Sequence, residues 1–237
     1  MPYSSDLSKT GVTRPQAIPP QLALLFYGDV ILKHPVLDTG AGYDLGAGAT
    51  LSPDDLNALG ELLARQGIIR TRPNTLGCGV ANLVWWVPPG VRPLHFDAKY
   101  EQTRSIARLS GVPVPHPGLV LAATASELRV FAVRGPERPG DTTLLYHAPF
   151  WNIFQNNKMC QGTVRYPRSL QPAAQEAWED AFFNSVFTGP SRQDKYLAWG
   201  RSYEELLERA IRDGAFPEDV LIGSRLTLAD LLDGKSS

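Results

Sequence analysis

The middle of the chain is a succession of short apolar segments separated by turn residues, and this order constrains the fold more than any other feature. The segment 81–90 is strongly apolar and ends at Pro-Pro-Gly, and the segments 118–125 and 127–133 meet at a short Ser-Glu turn. A further extended segment covers 142–148. Apolar runs of strand length between turn signals predict an antiparallel β-meander, in which 92–96 pairs with the first strand.

Helical periodicity replaces the strand pattern in the last third of the chain. In 170–187, alanine and aromatic residues recur at steps of three and four, which places them on one face of a helix. A second amphipathic helix is predicted over 202–214, with a serine cap and a glycine stop, and a short third over 226–233. Strands followed by helices predict an α+β fold, with the helices packed on one face or end of the sheet.

The residues before the meander are predicted to be an extension of the same domain. Residues 1–18 are polar and interrupted by proline, and we expect a flexible N-terminal arm. Residues 19–80 hold two apolar strands joined by a tight Gly-Asp turn. They also hold an inserted helix over 52–66, with a serine cap followed by proline. Residues 81–237 are then the core and its C-terminal helices.

Charge and cysteine content narrow the possible classes of function. The 237 residues carry 23 Lys and Arg against 24 Asp and Glu, a net charge of −1, so nothing predicts broad attraction to nucleic acid or anionic lipid. No run approaches the roughly 18 apolar residues of a membrane helix, and the N-terminus lacks a secretory apolar segment. Two cysteines far apart are too few for a disulfide framework, so we expect a cytoplasmic protein with free thiols.

The stretch YHAPFWNIFQNNKMCQG, residues 146–162, is the main candidate for chemistry. Cys160 follows an extended segment, and Lys158 would favour its thiolate if the two side chains lie close. Asparagine side chains can donate to an oxyanion, and His147 is a candidate general base. The alternatives are a small buried thiol and a histidine whose nitrogens are satisfied by backbone groups.

The remaining cysteine, histidines and glycines indicate no cofactor site. Cys78 is bracketed by glycines before an apolar strand and is predicted to be a turn or strand-entry residue. No histidine has metal-ligand spacing, and the glycine-rich segment 40–48 lacks the Gly-Lys-Ser/Thr ending of a phosphate loop. Neither a metal nor a nucleotide is expected.

The candidate stretch resembles the active-site segment of ubiquitin-conjugating enzymes. In that family a four-stranded meander leads to a His-Pro-Asn segment, to a catalytic cysteine eight positions after the Asn, and then to helices. Here Asn152 stands eight residues before Cys160. Asn156 and Asn157 fall where the family often has an Asn-Gly turn, and Asn tolerates the left-handed conformation that Gly would supply. The resemblance implies a ubiquitin-conjugating-enzyme-like fold.

A closer resemblance is to the B-protein family of the PRTRC system, a mostly plasmid-borne bacterial gene cassette. Its members are treated as a divergent prokaryotic branch of the ubiquitin-conjugating superfamily. The similar blocks are LVWWVPPGVRPLHF, VPHPGLVLAA, LYHAPFWNIF followed by MCQG, and AWEDAFFNSVFT. The resemblance implies three partners: a ThiF-type adenylating enzyme, a small ubiquitin-like protein and a JAB-type metallopeptidase.

The resemblance also implies a mechanism. Cys160 would accept the C-terminal carbonyl of the ubiquitin-like protein as a thioester, and an amine would then attack that carbonyl. Asn152 would hold the loop or stabilise the oxyanion, and His147 would take the proton of the amine.

Two departures from the family pattern keep other functions open. Phe150 and Trp151 stand in place of the His-Pro pair, and Gly189 stands where relatives are expected to carry Thr-His-Pro. Both departures favour a non-catalytic scaffold that binds the ubiquitin-like protein and uses Cys160 only structurally. A cysteine hydrolase is a further alternative, although it would want a histidine with an Asn or Asp orienter.

Overall fold

The structure, a computed structural model, describes residues 18–64, 69–97, 101 and 104–235. The chain divides into two compact units, the first ending at residue 68 and the second covering 69–237. The second unit begins before residue 81 because residues 75–78 form a strand of its main sheet. The predicted arm lies outside the described residues except for Ile18, and the assignment of both units to one domain stays a prediction.

The first unit is a small antiparallel sheet followed by a helix. Its elements are β1 (Leu22–Tyr27), β2 (Val30–Asp38), β3 (Tyr43–Leu45), β4 (Ala49–Thr50) and α1 (Pro53–Ala64). The predicted hairpin of β1 and β2 is confirmed, with Gly28 in the left-handed conformation at φ 59°. Ser52 caps α1 as predicted: its hydroxyl accepts from the Asp55 N–H and its own N–H donates to the Asp55 carboxylate. Residues 65 and 66 of the predicted helix lie outside the described residues.

The second unit is built on a six-stranded sheet whose neighbouring strands are all antiparallel. The strands of the unit are β5 (Thr75–Cys78), β6 (Leu83–Val87), β7 (Gly90–Pro93), β8 (His95–Phe96), β9 (Pro113–His116), β10 (Gly118–Ala123), β11 (Leu128–Val133), β12 (Leu144–His147), β13 (Val186–Phe187) and β14 (Gly223–Thr227). The order of the six-stranded sheet is β14-β12-β11-β10-β6-β5, so the predicted meander through β6, β10, β11 and β12 is confirmed.

The predicted pairing of 92–96 with β6 is wrong. These residues divide between β7, which pairs with β9, and β8, which pairs in parallel with β13. The reason is that β5 and β10 occupy the two edges of β6, so β6 has no row of free backbone groups left to offer.

Helices cover both faces of the main sheet. Successive residues of a strand point to opposite faces, so neighbouring residues of β6 belong to different apolar clusters. The helices of this unit are α2 (Gln175–Phe183), α3 (Tyr203–Asp213) and α4 (Leu228–Leu232). Trp85 of β6 belongs to the apolar cluster that also holds Trp178 of α2 and Leu206 of α3. Its neighbour Val84 belongs to a second cluster with Leu231 of α4. The α+β class is thus confirmed, but the expectation of helices on one face or end is wrong because α4 covers the other face.

The predicted helix over 170–187 is shorter in the structure. Pro172–Ala174 form a 3-10 turn before α2, and Val186–Phe187 leave the helix to form β13 beside β8. In contrast, α3 has the predicted limits: Ser202 forms a capping box with Glu205, and Gly214 ends the helix at φ 68°. Among the helices in the described ranges, none is both long and apolar enough to cross a membrane.

Glu179 of α2 is a carboxyl group buried in the core, and it predicts a pH-dependent stability. Its Oε1 accepts from Nε1 of Trp85 at 3.1 Å and its Oε2 lies 3.3 Å from Nη2 of Arg92. Burial raises its pKa, against the opposing effects of Trp85 and Arg92. Because the folded pKa lies above the unfolded one, this group lowers stability as pH rises from about 4 through the folded pKa.

Glu179→Gln is therefore expected to gain stability relative to the native chain between pH 4 and pH 7. The variant keeps an amide oxygen for Trp85 and removes the buried charge. Urea unfolding at the two pH values measures the difference. The control is Glu176→Gln in the same helix, since the side chain of Glu176 is 76% exposed. If the free energies of unfolding of Glu179→Gln and of the native chain differed by the same amount at pH 4 and at pH 7, the prediction would be contradicted.

Candidate active site

Cys160 ends a short hairpin that begins at Asn152. The Cys160 N–H donates to the Asn152 carbonyl at 2.7 Å, and the Phe154 N–H donates to the Lys158 carbonyl at 2.9 Å. Asn157 occupies the turn in the left-handed conformation at φ 62°, as predicted for the Asn-Asn pair. Cys160 is partly exposed, and its backbone is fixed by the bond to Asn152.

Backbone bonds and buried side chains fix this hairpin against β11. The Met159 N–H donates to the Leu128 carbonyl at 2.8 Å, and the Val130 N–H donates to the Asn157 carbonyl at 2.9 Å. Met159 and Ile153 are fully buried between the hairpin and the sheet. The hairpin therefore extends the sheet beside the first half of β11, which gives Cys160 a rigid support.

Lys158 is part of an ion pair in the structure. Its ammonium lies 3.0 Å from the carboxylate of Glu127, in the turn between β10 and β11. The Glu127 carboxylate therefore opposes the predicted effect of Lys158, which was to favour a thiolate at Cys160. Tyr166, which sequence reasoning missed, lies near Cys160 and Glu127, and burial raises its pKa to about 12.

Asn152 joins the hairpin to the segment that follows α2. It is 8% exposed and has a left-handed backbone at φ 58°. Its Nδ2 donates to the Val186 carbonyl at 2.8 Å, and its Oδ1 accepts from the Thr188 N–H at 3.2 Å and from the Thr188 hydroxyl at 3.1 Å. Its N–H donates to the Gly189 carbonyl. The structure thus brings the backbones of Asn152 and Cys160 together, while the Asn152 amide is engaged with residues 186–188.

His147 contacts the turn of the same hairpin. Its Nδ1 lies 2.9 Å from Oδ1 of Asn157 and 3.3 Å from Nη2 of Arg192. Burial lowers the pKa of His147 and the Arg192 charge lowers it further, against the opposing effects of the Asn157 hydrogen bond and the Asp194 charge. Within the described residues no hydrogen bond joins His147 to Cys160.

Arg192 is a functional candidate that sequence reasoning missed. Its side chain is only 1% exposed and pairs with Asp194 through Nε at 2.8 Å and through Nη2. It also lies over the Tyr196 ring, 5.2 Å from the centroid. No local sequence signal predicts its contact with His147, which lies 45 positions earlier. The Arg-x-Asp spacing could have indicated the local ion pair with Asp194.

The aromatic pair that replaces His-Pro is part of the core. Phe150 and Trp151 are 3% and 6% exposed. Trp151 stacks on Tyr203 of α3 with centroids 5.0 Å apart, and the Tyr203 hydroxyl donates to the Pro149 carbonyl at 2.7 Å. These contacts bind the segment before Asn152 to α3, so the two residues position the hairpin by packing. The other cysteine, Cys78, is the last residue of β5, with its sulfur 3.9 Å from the Leu170 carbonyl.

An antiparallel meander, a cysteine hairpin bonded to the first half of β11 and helices late in the chain agree with an E2-like fold, E2 being the designation of ubiquitin-conjugating enzymes. The family described as prokaryotic E2 family D matches residues 57–223. Since this match covers most of the chain, the chain belongs to prokaryotic E2 family D, and its function is related to ubiquitin-like conjugation in general. Neither the curated proteins nor the solved structures include a match to it.

Proposed function

We propose that the chain is a conjugating enzyme for a ubiquitin-like protein, with Cys160 as the residue that carries the thioester. The observation that supports this most is the partly exposed Cys160 held by its backbone to Asn152. This cysteine lies within the part of the chain that matches prokaryotic E2 family D. A nucleophile on a fixed backbone beside a rigid sheet is placed for acyl transfer.

The proposed reaction has two steps. The Cys160 thiolate attacks the activated C-terminal carbonyl of the ubiquitin-like protein, the bond to the activating group breaks, and a thioester forms. An amine of the acceptor then attacks the same carbonyl, the C–S bond breaks, an amide forms and the thiolate is released. A thiolate leaves more readily than an amine, so the second step needs no further energy source. The ATP is consumed by the adenylating partner.

Asn152 is proposed to act as a positioning residue in this reaction. Its carbonyl accepts from the Cys160 N–H, and its amide ties the hairpin to Val186 and Thr188. The Asn152 Nδ2 carries two N–H groups, and the Val186 carbonyl accepts from one of them. We propose that the acceptor amine loses its proton to water or to a group that the acceptor protein brings.

The proposed partners are those of a PRTRC cassette, in which this chain would be the B protein. They are a ThiF-type adenylating enzyme, which activates the ubiquitin-like protein, the small ubiquitin-like protein itself, and a JAB-type metallopeptidase that would remove it. Membership in an E2 family supports the first two partners in general terms. No cofactor is proposed for this chain, which is expected to act in the cytoplasm.

A non-catalytic scaffold is the second candidate function. The engagement of the Asn152 amide with Val186 and Thr188 favours it, because these bonds give that side chain a structural role in holding residues 186–188. A scaffold would bind the ubiquitin-like protein and form no covalent adduct.

The decisive experiment is incubation of the full chain with the adenylating enzyme, the ubiquitin-like protein and ATP. We expect a one-to-one covalent adduct that reducing agent destroys, and mass spectrometry of the digested adduct should place the linkage on Cys160. Omission of ATP is the control and should give no adduct. Retained binding without any adduct would refute the conjugating enzyme and support the scaffold.

A further inference from the structure

Two contacts of Nδ1 bear on which nitrogen of His147 holds the proton. Nη2 of Arg192 lies 3.3 Å from Nδ1 of His147. A guanidinium group can only donate, so a hydrogen bond between these atoms requires that Nδ1 accept. A neutral imidazole whose Nδ1 accepts holds its proton on Nε2.

The Asn157 amide fits the same arrangement after a half-turn. Its Oδ1 lies 2.9 Å from Nδ1 of His147, while its Nδ2 is buried without a partner. An acceptor facing an acceptor is unfavourable, and a half-turn of the amide brings the unpaired donor to Nδ1. The half-turn thus gives the unsatisfied Nδ2 of Asn157 an acceptor in Nδ1 of His147.

Burial and the Arg192 charge act against a second proton on the His147 ring, whereas the Asp194 charge acts in its favour. The charged groups that act on it are Arg192 and Asp194, both from the segment after β13, and the hairpin contributes only the neutral Asn157. Arg192 is buried and close, and Asp194 is bound to Arg192 by two hydrogen bonds. Nε2 of His147 has no hydrogen-bond partner among the described residues and is not enclosed, so its N–H is available to a ligand.

We propose that Arg192 and Asn157 hold His147 neutral with its proton on Nε2, so that it donates a hydrogen bond to a carbonyl oxygen of the bound ubiquitin-like chain. In this role His147 is not the general base, because the lone pair of Nδ1 is occupied by its two neighbours. Arg192 is a positioning residue that acts through His147. The identity of the ligand rests on the proposed function, whereas the protonation state of His147 does not.

Nitrogen-15 NMR of the imidazole rings tests the protonation state in the full chain without any partner. His147→Gln identifies the signals of His147 by their loss. We expect the pattern of a neutral ring with Nε2 protonated at pH 7. Arg192→Met should move the titration midpoint of His147 to higher pH and mix the two tautomers. The matched control is Arg201→Gln, since Arg201 is an exposed arginine in a surface ion pair. A protonated Nδ1 at pH 7 in the native chain would overturn the assignment.

The rate of transfer from the charged chain to a free amine tests the donor role. Loss of one donor costs about 10²-fold in rate, so His147→Ala should be slower by about that factor. Gln carries an N–H group near the position of Nε2, and His147→Gln should recover about ten-fold over alanine. Two results together would show that His147 acts as a base instead. His147→Gln would be as slow as His147→Ala, and the rate of the native chain would rise with pH through the titration midpoint of His147. Should the native chain form no adduct, the proposed function fails while the NMR result still decides the protonation state.

Discussion

Cys160→Ala is expected to abolish the reductant-sensitive adduct completely, because alanine has no nucleophilic atom. Cys160 and Cys78 are the only two cysteines of the chain, and the folding role of Cys160 is small. Its backbone supplies the N–H that binds Asn152, and alanine keeps that N–H. The partly exposed side chain leaves a small cavity at most, so the unfolding free energy should fall by about 1 kcal/mol. Loss of the adduct in a folded variant therefore reports chemistry.

Cys78→Ala is the matched control and should keep the full adduct. Cys78 is the last residue of β5. Within the described residues, the Leu170 carbonyl is the one hydrogen-bond partner of its sulfur. Cys160→Ser adds a positive test: an oxygen at the same atom should give a slower adduct that resists thiols and is cleaved by alkali, as an ester is. An adduct that persists in Cys160→Ala and disappears in Cys78→Ala would place the chemistry on the wrong cysteine for our proposal.

The local elements of the fold were predictable because their signals lie within short windows of sequence. The hairpin of β10 and β11 follows from two apolar runs around one turn, and α3 follows from Ser202 and Gly214 at its ends. The failures concern partners that are distant in the chain. The pairing of β8 with β13 joins residues about ninety positions apart. Such a pairing is decided by which strand edges remain free after the meander has formed, and no local pattern records that.

In the candidate site, too, the local features were predictable and the contacts between residues distant in the chain were not. The eight-residue step from Asn152 to Cys160 is local, and the left-handed Asn157 agrees with the turn that the family resemblance implied at Asn156 and Asn157. The environment of His147 was not predictable, because Arg192 reaches it from the segment after β13. The sequence also gave no sign that the amide of Asn152 would bind residues 186–188 instead of pointing to the thiol.

Asn152→Ala is expected to have the largest effect on stability among substitutions in the site. The variant removes the donor to the Val186 carbonyl and the acceptor of the Thr188 N–H and hydroxyl. A buried polar group without its partner costs about 1–3 kcal/mol, and alanine at φ 58° costs about 1 kcal/mol more. A loss of about 3 kcal/mol in the free energy of unfolding follows, which lowers the melting temperature by about 6–12 °C.

Two further variants separate the causes of this loss. Asn152→Gly removes the same side-chain bonds but accepts the left-handed backbone, so it should be more stable than Asn152→Ala by about 1 kcal/mol. Asn156→Ala is the matched control four residues later, since Asn156 is exposed and its side chain accepts only from the Lys158 N–H among the described groups. It should lose about 0.5 kcal/mol. If Asn152→Ala melted at the temperature of Asn156→Ala, the amide of Asn152 would not be what ties the Cys160 hairpin to the segment after α2, and its conjugating role would have to lie in contact with the thioester itself.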